Sequence, residues 1–232
     1  MSQPEFDRYS GSYEELLKDP IRDRFTEAGS QFFHVRKRDL VREHFSDLRI
    51  DTRTLRYLDI GCGKGELLAL LREDFHEVAG CDPSPAMLSS SQGVETRVQE
   101  NPGKIPFDDA AFDFVTSVCV YHHVPSSSRL ALTREAYRVL KPGRFCCFQI
   151  APFAARNLPL HHYLLQSALE LGFEFEDEIV LAFLADYVGY SSSVSGRDTG
   201  IMHKQAFASW FSIKHNTYNH NHEYLIILRK RH

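Results

Sequence analysis

Hydrophobic positions in this 232-residue chain switch between two periods, and the switching predicts its elements. Short runs at residues 56–60, 77–81, 112–118 and 144–150 are mostly apolar and bounded by Gly, Pro, Asp or Ser, as buried strands are. A shorter, more polar run at 94–98 reads as a further strand. Between them the spacing becomes helical over 64–73 and 126–140, where Leu130, Leu132, Ala136, Val139 and Leu140 recur. Lys141-Pro142-Gly143 stops the second helix, because Pro cannot continue it and Gly takes the turn that follows. A third helix over 160–171 closes at Gly172. Residues 173–181 alternate with Glu174, Glu176, Asp177 and Glu178, a strand with one wet face, and 223–229 forms a last apolar strand. Strands alternating with helices predict an α/β fold.

Two stretches stand outside this alternation. Residues 1–50 read as amphipathic helix: Tyr13, Leu16 and Leu17 share a face, Pro20 marks a boundary, and Phe32, Phe33, Leu40, Val41 and Phe45 recur at helical spacing. Read from its own residues, the segment is a helix covering one face of the sheet. Residues of about 182–221 form an insertion far longer than the usual loop. It carries Tyr187, Tyr190, Ser191-Ser192-Ser193, Trp210 and several histidines, a composition suited to recognising a substrate.

The first strand leads into Asp59-Ile60-Gly61-Cys62-Gly63-Lys64-Gly65. Glycines at alternate positions permit positive φ and let a ligand lie against the backbone. The spacing departs from the dinucleotide fingerprint Gly-x-Gly-x-x-Gly, and no Lys-Ser or Lys-Thr pair follows as in a phosphate loop. Four blocks in order carry a resemblance: Leu58 to Gly65, Gly80-Cys81-Asp82-Pro83-Ser84-Pro85-Ala86-Met87-Leu88, residues 105–115, and Val139-Leu140-Lys141-Pro142-Gly143. Together they resemble class I S-adenosylmethionine-dependent methyltransferases, most closely the broad small-molecule group.

That resemblance implies one methyltransferase domain over 1–232, with a helical lid at 1–50, a cofactor-binding core at 55–153 and a C-terminal part at 154–232 that holds the insertion. It implies a Rossmann-like doubly wound sheet of seven strands in the order 3-2-1-4-5-7-6, the seventh antiparallel. The implied cofactor is S-adenosyl-L-methionine, leaving S-adenosyl-L-homocysteine after transfer. Its expected contacts are Asp59, Gly61, Cys62 and Gly63 in the turn, Asp82 and Pro83 after strand two, and Tyr9 from the lid edge, beside Phe6 and Tyr13. An acid ending the second strand can accept two hydrogen bonds from a ribose diol, while Asp also caps helices well. Met87 packs near adenine or on a buried helix face. Counting back from Pro106-Phe107 places Asn101 where the family has an adenine-binding acid, with Gln99 and Glu100 as rivals. Ser117 and Val118 end strand four and face the methionine part, because ligands sit outside the carboxyl ends of strands in open sheets. The acceptor is expected against Tyr13, Tyr121, His122, Tyr187 and Tyr190. His122 is the candidate general base, although a His-His pair also serves as a structural corner.

Composition narrows the partners. A net charge of −4 and a pI near 6.3 supply no global field for nucleic acid. No apolar run reaches the ~20 residues of a membrane helix, and no signal peptide is apparent. Five cysteines beside predicted strands suit free thiols in a cytoplasmic protein. No metal is expected, since His220-x-His222 is too sparse for a site. The expected activity is methyl transfer to a small-molecule acceptor, without nucleic acid or membrane partners. A nucleic-acid amino-methyltransferase, suggested by the 219–230 tail, and a non-catalytic cofactor-binding module are the rival readings.

Overall fold

The apolar runs pair into one sheet in a computed structural model, which describes residues 7, 31–91, 93–150, 160–184, 187–193 and 222–232. Its strands are β1 (Arg56–Ile60), β2 (Glu77–Asp82), β3 (Glu95–Val98), β4 (Phe112–Val118), β5 (Leu140–Ile150), β6 (Phe173–Leu184), β7 (Tyr187–Ser193) and β8 (His222–Lys230). They lie in the order β3-β2-β1-β4-β5-β8-β6-β7. The first five pair in parallel, while β8 is antiparallel to both β5 and β6. With β7 set aside, this is the expected seven-strand order with an antiparallel final strand.

The eighth strand is the departure. Residues expected to open the insertion instead extend β6 to Leu184 and return as β7, with Leu184 opposite Tyr187 and Ile179 opposite Ser193. Tyr187, Val188 and Tyr190 favour extended backbone, and their pairing covers the β6 edge that would otherwise offer unpaired amides. Strand five also starts early, at Leu140. Pro142 is tolerated there because the β4–β5 register breaks between Phe112 and Phe114, whose partners are Leu140 and Phe145.

Helices α1 (Gln31–Asp47), α2 (Glu66–Leu71), α3 (Pro85–Leu88), α4 (Ser126–Val139) and α5 (Leu160–Leu171) complete the described elements. Strand alternation gives the sheet two apolar faces. On one, Ile60, Cys81, Val115, Phe148 and Ile226 cluster with Leu132 and Ala136 of α4 and Leu164 and Ala168 of α5. On the other, Tyr57, Phe114, Phe145 and Cys147 cluster with Leu40 and Phe45 of α1 and Leu67, Leu68 and Leu71 of α2. Phe45 meets Phe114 edge-on at 5.1 Å, and Tyr57 stacks on Phe114 at 5.4 Å. Truncating Phe45 to Ala would cost ~3–5 kcal/mol, so α1 is a built part of the core in its second half. Among the described residues no helix is long and apolar enough to cross a membrane.

Candidate functional site

The carboxyl ends of β1, β2 and β4 converge on the glycine turn. Gly61, Gly63 and Gly65 all take positive φ, at +72°, +54° and +79°. The amides of Gly61 and Cys62 both donate to Cys81 O, at 2.7 and 3.1 Å, which ties the turn to β2. What surrounds the three glycines differs. A Cβ on Gly61 would lie 2.2 Å from Val120 Cγ2, and one on Gly65 would lie 2.8 Å from Ser91 Oγ. A Cβ on Gly63 would meet nothing within 4 Å. Gly63 alone of the three faces open space.

Asp82 frames that space. Its carboxylate accepts from Gly63 N at 3.0 Å and from Ser84 N at 2.8 Å. Burial pushes the carboxyl above its ordinary range, the two amides pull it back, and Asp7 pushes it up again. The helix cap anticipated as an alternative role belongs to Ser84, whose Oγ accepts from Met87 N at 3.2 Å. Asp82 is thus released from capping, and a carboxylate with two bonds made keeps lone pairs for a further donor. The same Ser84 hydroxyl donates to the Asp7 carboxyl, which brings Asp7 beside the end of β2.

Asp59 lies one strand over and is buried. Thr116 Oγ1 donates to it at 2.6 Å, and Thr116 shares a 2.7 Å bond with the Tyr57 hydroxyl. Burial pushes the Asp59 carboxyl up to about 7; the Thr116 bond and Lys37 of α1 oppose this, while Asp82 and Glu66 add to it. Cys62 is buried, and desolvation pushes its thiol far above the range where it could react. Its role is packing against Gly80, where an added Cβ would come within 2.6 Å of its sulfur.

Strand four ends differently from expectation. Tyr121 is 0% exposed, with its ring edge-on to Phe148 and its hydroxyl 3.1 Å from Thr133 Oγ1. It braces the corner between β4 and α4, and is not available as the acceptor contact the sequence suggested. Ser117 is also shut in, on the sheet row of Ile60 and Phe148 that faces the α4–α5 core, so its backbone alone can meet a ligand. Val118 is half-buried, and Cys119 has a φ of 58°, turning the chain so that Val120 packs on Gly61. The His122 ring lies tilted beside that of His123, their centroids 4.1 Å apart, and its carbonyl accepts from Arg129 at 3.4 Å. Burial, then the charges of His123 and Arg129, lower its pKa to about 4, so the imidazole is neutral at pH 7.

The remaining expected contacts divide. Met87 is buried and Pro83 exposed beside Asp82. The Asn101 amide oxygen accepts from Gly103 N at 2.8 Å, closing its own turn, and Gln99 is buried with its amide on Pro102 O at 3.4 Å. Glu100 is exposed and has no hydrogen bond among the described residues. Tyr9 and Tyr13 lie outside the described residues, as do residues 194–221 of the insertion. Tyr187 and Tyr190 fall on β7, paired with Leu184 and Ala182. Sequence reasoning missed Thr116, Tyr57 and Lys37, whose convergence on Asp59 depends on strand register and helix placement. Lys37 carried a usable signal: it precedes Leu40, Val41 and His44 at core-facing helical spacing.

Comparison with known proteins accords with this geometry. The family profile of a methyltransferase domain matches residues 58–148. A demethylmenaquinone methyltransferase of Thermus thermophilus is 34% identical over 106 residues, which are 42% of this chain and 47% of that protein. A probable tRNA methyltransferase 9B of Bos taurus is 36% identical over 88 residues, 37% of this chain and 19% of its own length. The chain therefore spans about half the length, or less, of the curated relatives it matches. A Thermotoga maritima structure described as a possible histamine N-methyltransferase shares the fold with a TM-score of 0.64 at 18% identity, covering 97% of this chain and 98% of its own. Residues 58–148 thus carry a methyltransferase domain, and motifs, sheet order and profile coincide there on the class I S-adenosylmethionine-dependent methyltransferase fold.

Proposed function

We propose that this protein transfers a methyl group from S-adenosylmethionine to a small-molecule acceptor. The observation that carries the reading is the open space at Gly63 bounded by the Asp82 carboxylate, which the Gly63 amide itself orients. A backbone approach without Cβ and an acid with spare lone pairs suit a nucleoside whose ribose diol donates two hydrogen bonds. Pro83 and Met87 border the adenine in this reading, Glu100 offers an acceptor for its amino group in place of Asn101, and Val118 with the backbone of Ser117 lies toward the sulfur. When bound, the cofactor supplies a methyl group already activated by positively charged sulfur.

The chain's own work is then to hold two reactants in line and keep water out, which can remove roughly 7–11 kcal/mol from a barrier. The buried Tyr121–Thr133 bond stiffens the corner that presents His122. A neutral His122 can accept a hydrogen bond from an acceptor hydroxyl or amine at pH 7. With its pKa near 4 it is a weak base, which suits an acceptor already nucleophilic or readily deprotonated. The contact of Asp7 with Ser84 supports residues 1–30 as a lid whose Tyr9 and Tyr13 approach the site, with Tyr187 and Tyr190 on the acceptor side.

The partial likeness to a tRNA methyltransferase favours a second reading, and the net charge of −4 opposes it. Titration calorimetry with S-adenosylhomocysteine and transfer of labelled methyl groups to phenolic, quinol and tRNA acceptors decide between them. We expect cofactor-product binding and label in a small molecule. Label in tRNA, with steeply salt-dependent binding, would overturn the small-molecule reading. Binding without transfer to any acceptor would favour the non-catalytic module.

A further inference from the structure

The corner that presents His122 is held from the helix behind it. Arg129 is the fourth residue of α4, and helical side chains lean toward the helix N-terminus, so it reaches back over the loop that leads in. Its Nε donates to Val124 O at 3.0 Å, and its Nη2 donates to His122 O at 3.4 Å. Val124 is buried in the α4–α5 core, which fixes the first of these arms. The Arg129 backbone is fastened as well, its carbonyl accepting from Thr133 Oγ1 at 3.0 Å. Thr133 has one hydroxyl proton, so the Tyr121 hydroxyl is the donor in the 3.1 Å bond between those two side chains. At the other end of the corner His123 N donates to Val120 O at 2.8 Å, and Val120 packs on Gly61.

An arginine at this position runs against the local rule. A helix N-terminus is the positive end of its dipole, and α4 has neither an acid in its first turn nor a side-chain cap at Pro125. A cation there opposes the dipole, and real sequences break such rules at functional sites. A planar fork that spans two carbonyls is also something lysine cannot supply. Resting on the methyl-transfer reading above, we infer that Arg129 is a positioning residue for the reaction: by joining the carbonyls of His122 and Val124 to α4, it fixes the His122 imidazole at the acceptor site. Burial acts first on the charge of that imidazole, followed by His123 in the corner and Arg129 on α4; from α5, Tyr163 acts on Tyr121. Loosening the corner lets water reach the ring, and removing the guanidinium withdraws a like charge, so both changes raise its pKa.

The test follows the His122 ring by NMR in the full-length protein, its Cε1–H signal assigned by its absence from His122→Asn. From pH 5 to pH 8 the wild-type signal should stay nearly flat, because a ring with a pKa of about 4 is neutral there. Arg129→Gln should raise the midpoint by about 1 unit or more, so that the signal titrates visibly at pH 5. Arg129→Lys keeps the charge but reaches one carbonyl at a time, and should not restore the wild-type curve. On a phenolic or quinol acceptor that takes label from wild type, Arg129→Gln should lower kcat by about 10–100-fold with KM within about threefold. S-adenosylhomocysteine affinity should stay within about twofold in both variants. A wild-type titration in Arg129→Gln, full recovery in Arg129→Lys, or an unchanged kcat would each overturn the positioning role. A wild type that transfers label to no acceptor would overturn the methyl-transfer reading and leave the titration to decide whether Arg129 holds the corner.

Discussion

Alanine at Gly61 and at Gly63 should separate stability from binding. Both residues occupy left-handed backbone, where an L side chain costs ~1–2 kcal/mol. At Gly63 that is the whole penalty, because the new methyl meets nothing within 4 Å. At Gly61 the methyl would overlap Val120 at 2.2 Å, and relief by side-chain or backbone shift adds ~1–3 kcal/mol. For a chain of this size each kcal/mol lowers Tm by ~2–4 °C. Gly63→Ala should therefore melt ~2–8 °C below wild type, and Gly61→Ala ~4–20 °C below. Binding should rank in a different way. Gly63→Ala fills the space assigned to the ligand and should weaken S-adenosylhomocysteine by about tenfold or more while the protein stays folded. Differential scanning calorimetry and titration calorimetry on the same preparations make the comparison. A folded Gly63→Ala protein with wild-type affinity would refute the assignment of that space, and a Gly61→Ala protein no less stable than Gly63→Ala would refute the packing argument.

Asp82→Asn keeps one acceptor for the Gly63 and Ser84 amides but loses one charge-assisted bond; it should cost ~1.5–3 kcal/mol, seen as a Tm lower by ~3–12 °C, together with weaker S-adenosylhomocysteine binding by calorimetry. Asp59→Asn should act through pH. The unfolded carboxyl loses its proton near 3.8 and the folded one near 7, so between those values the native state binds more protons and wild-type stability falls as pH rises, by up to ~4 kcal/mol. The Asn variant lacks this decline, so its Tm advantage over wild type should grow from pH 5 to pH 8; a constant difference would place the Asp59 titration elsewhere. Tyr121→Phe removes the bond to Thr133 and should cost ~0.5–1.5 kcal/mol in chemical denaturation without changing KM for an acceptor, whereas a raised KM would return Tyr121 to the acceptor site.

How much of this was legible in the sequence depended on the range of the interaction involved. The sheet order came from the family resemblance, whereas the glycine turn, the acid ending β2 and the alternation of strands with helices follow from local patterns and spacing, because strand period and turn chemistry act over a few residues. The boundaries of α4 and α5 came out within a residue for the same reason. What failed was register. Tyr121 and His122 are neighbours in a block that looked uniformly site-facing, yet Tyr121 turns into the α4 core and His122 does not, after a single left-handed residue at Cys119. No spacing rule announces a positive φ at cysteine. Residues 182–193 looked like loop because Ser, Gly and Tyr dominate them, but an unpaired β6 edge supplied a partner that local propensity does not encode.

Asp59 carries the argument a step further. From sequence it was an acid in the glycine turn with no partner assigned, whereas Asp82 was read as the acceptor for a ribose diol. In the fold the two differ: Asp82 is held by two backbone amides, whereas Asp59 has a single hydroxyl, a buried setting and the opposing charge of Lys37. Backbone donors fix a carboxylate whatever occupies the site, so Asp82 can scaffold the turn before a ligand arrives. A buried acid compensated first by the Thr116 hydroxyl and then by the charge of Lys37 is poised to hold its proton when alone and to release it when a cation comes close. The empty protein would then meet the positively charged cofactor with an acid at Asp59 that titrates near 7, and affinity for the sulfonium substrate should rise with pH across that range. If Asp59 ionises on binding, proton release measured by calorimetry in buffers of different ionisation enthalpy should be substantial near pH 6 and fade above pH 8. Absence of release at both pH values would show that Asp59 keeps one protonation state throughout.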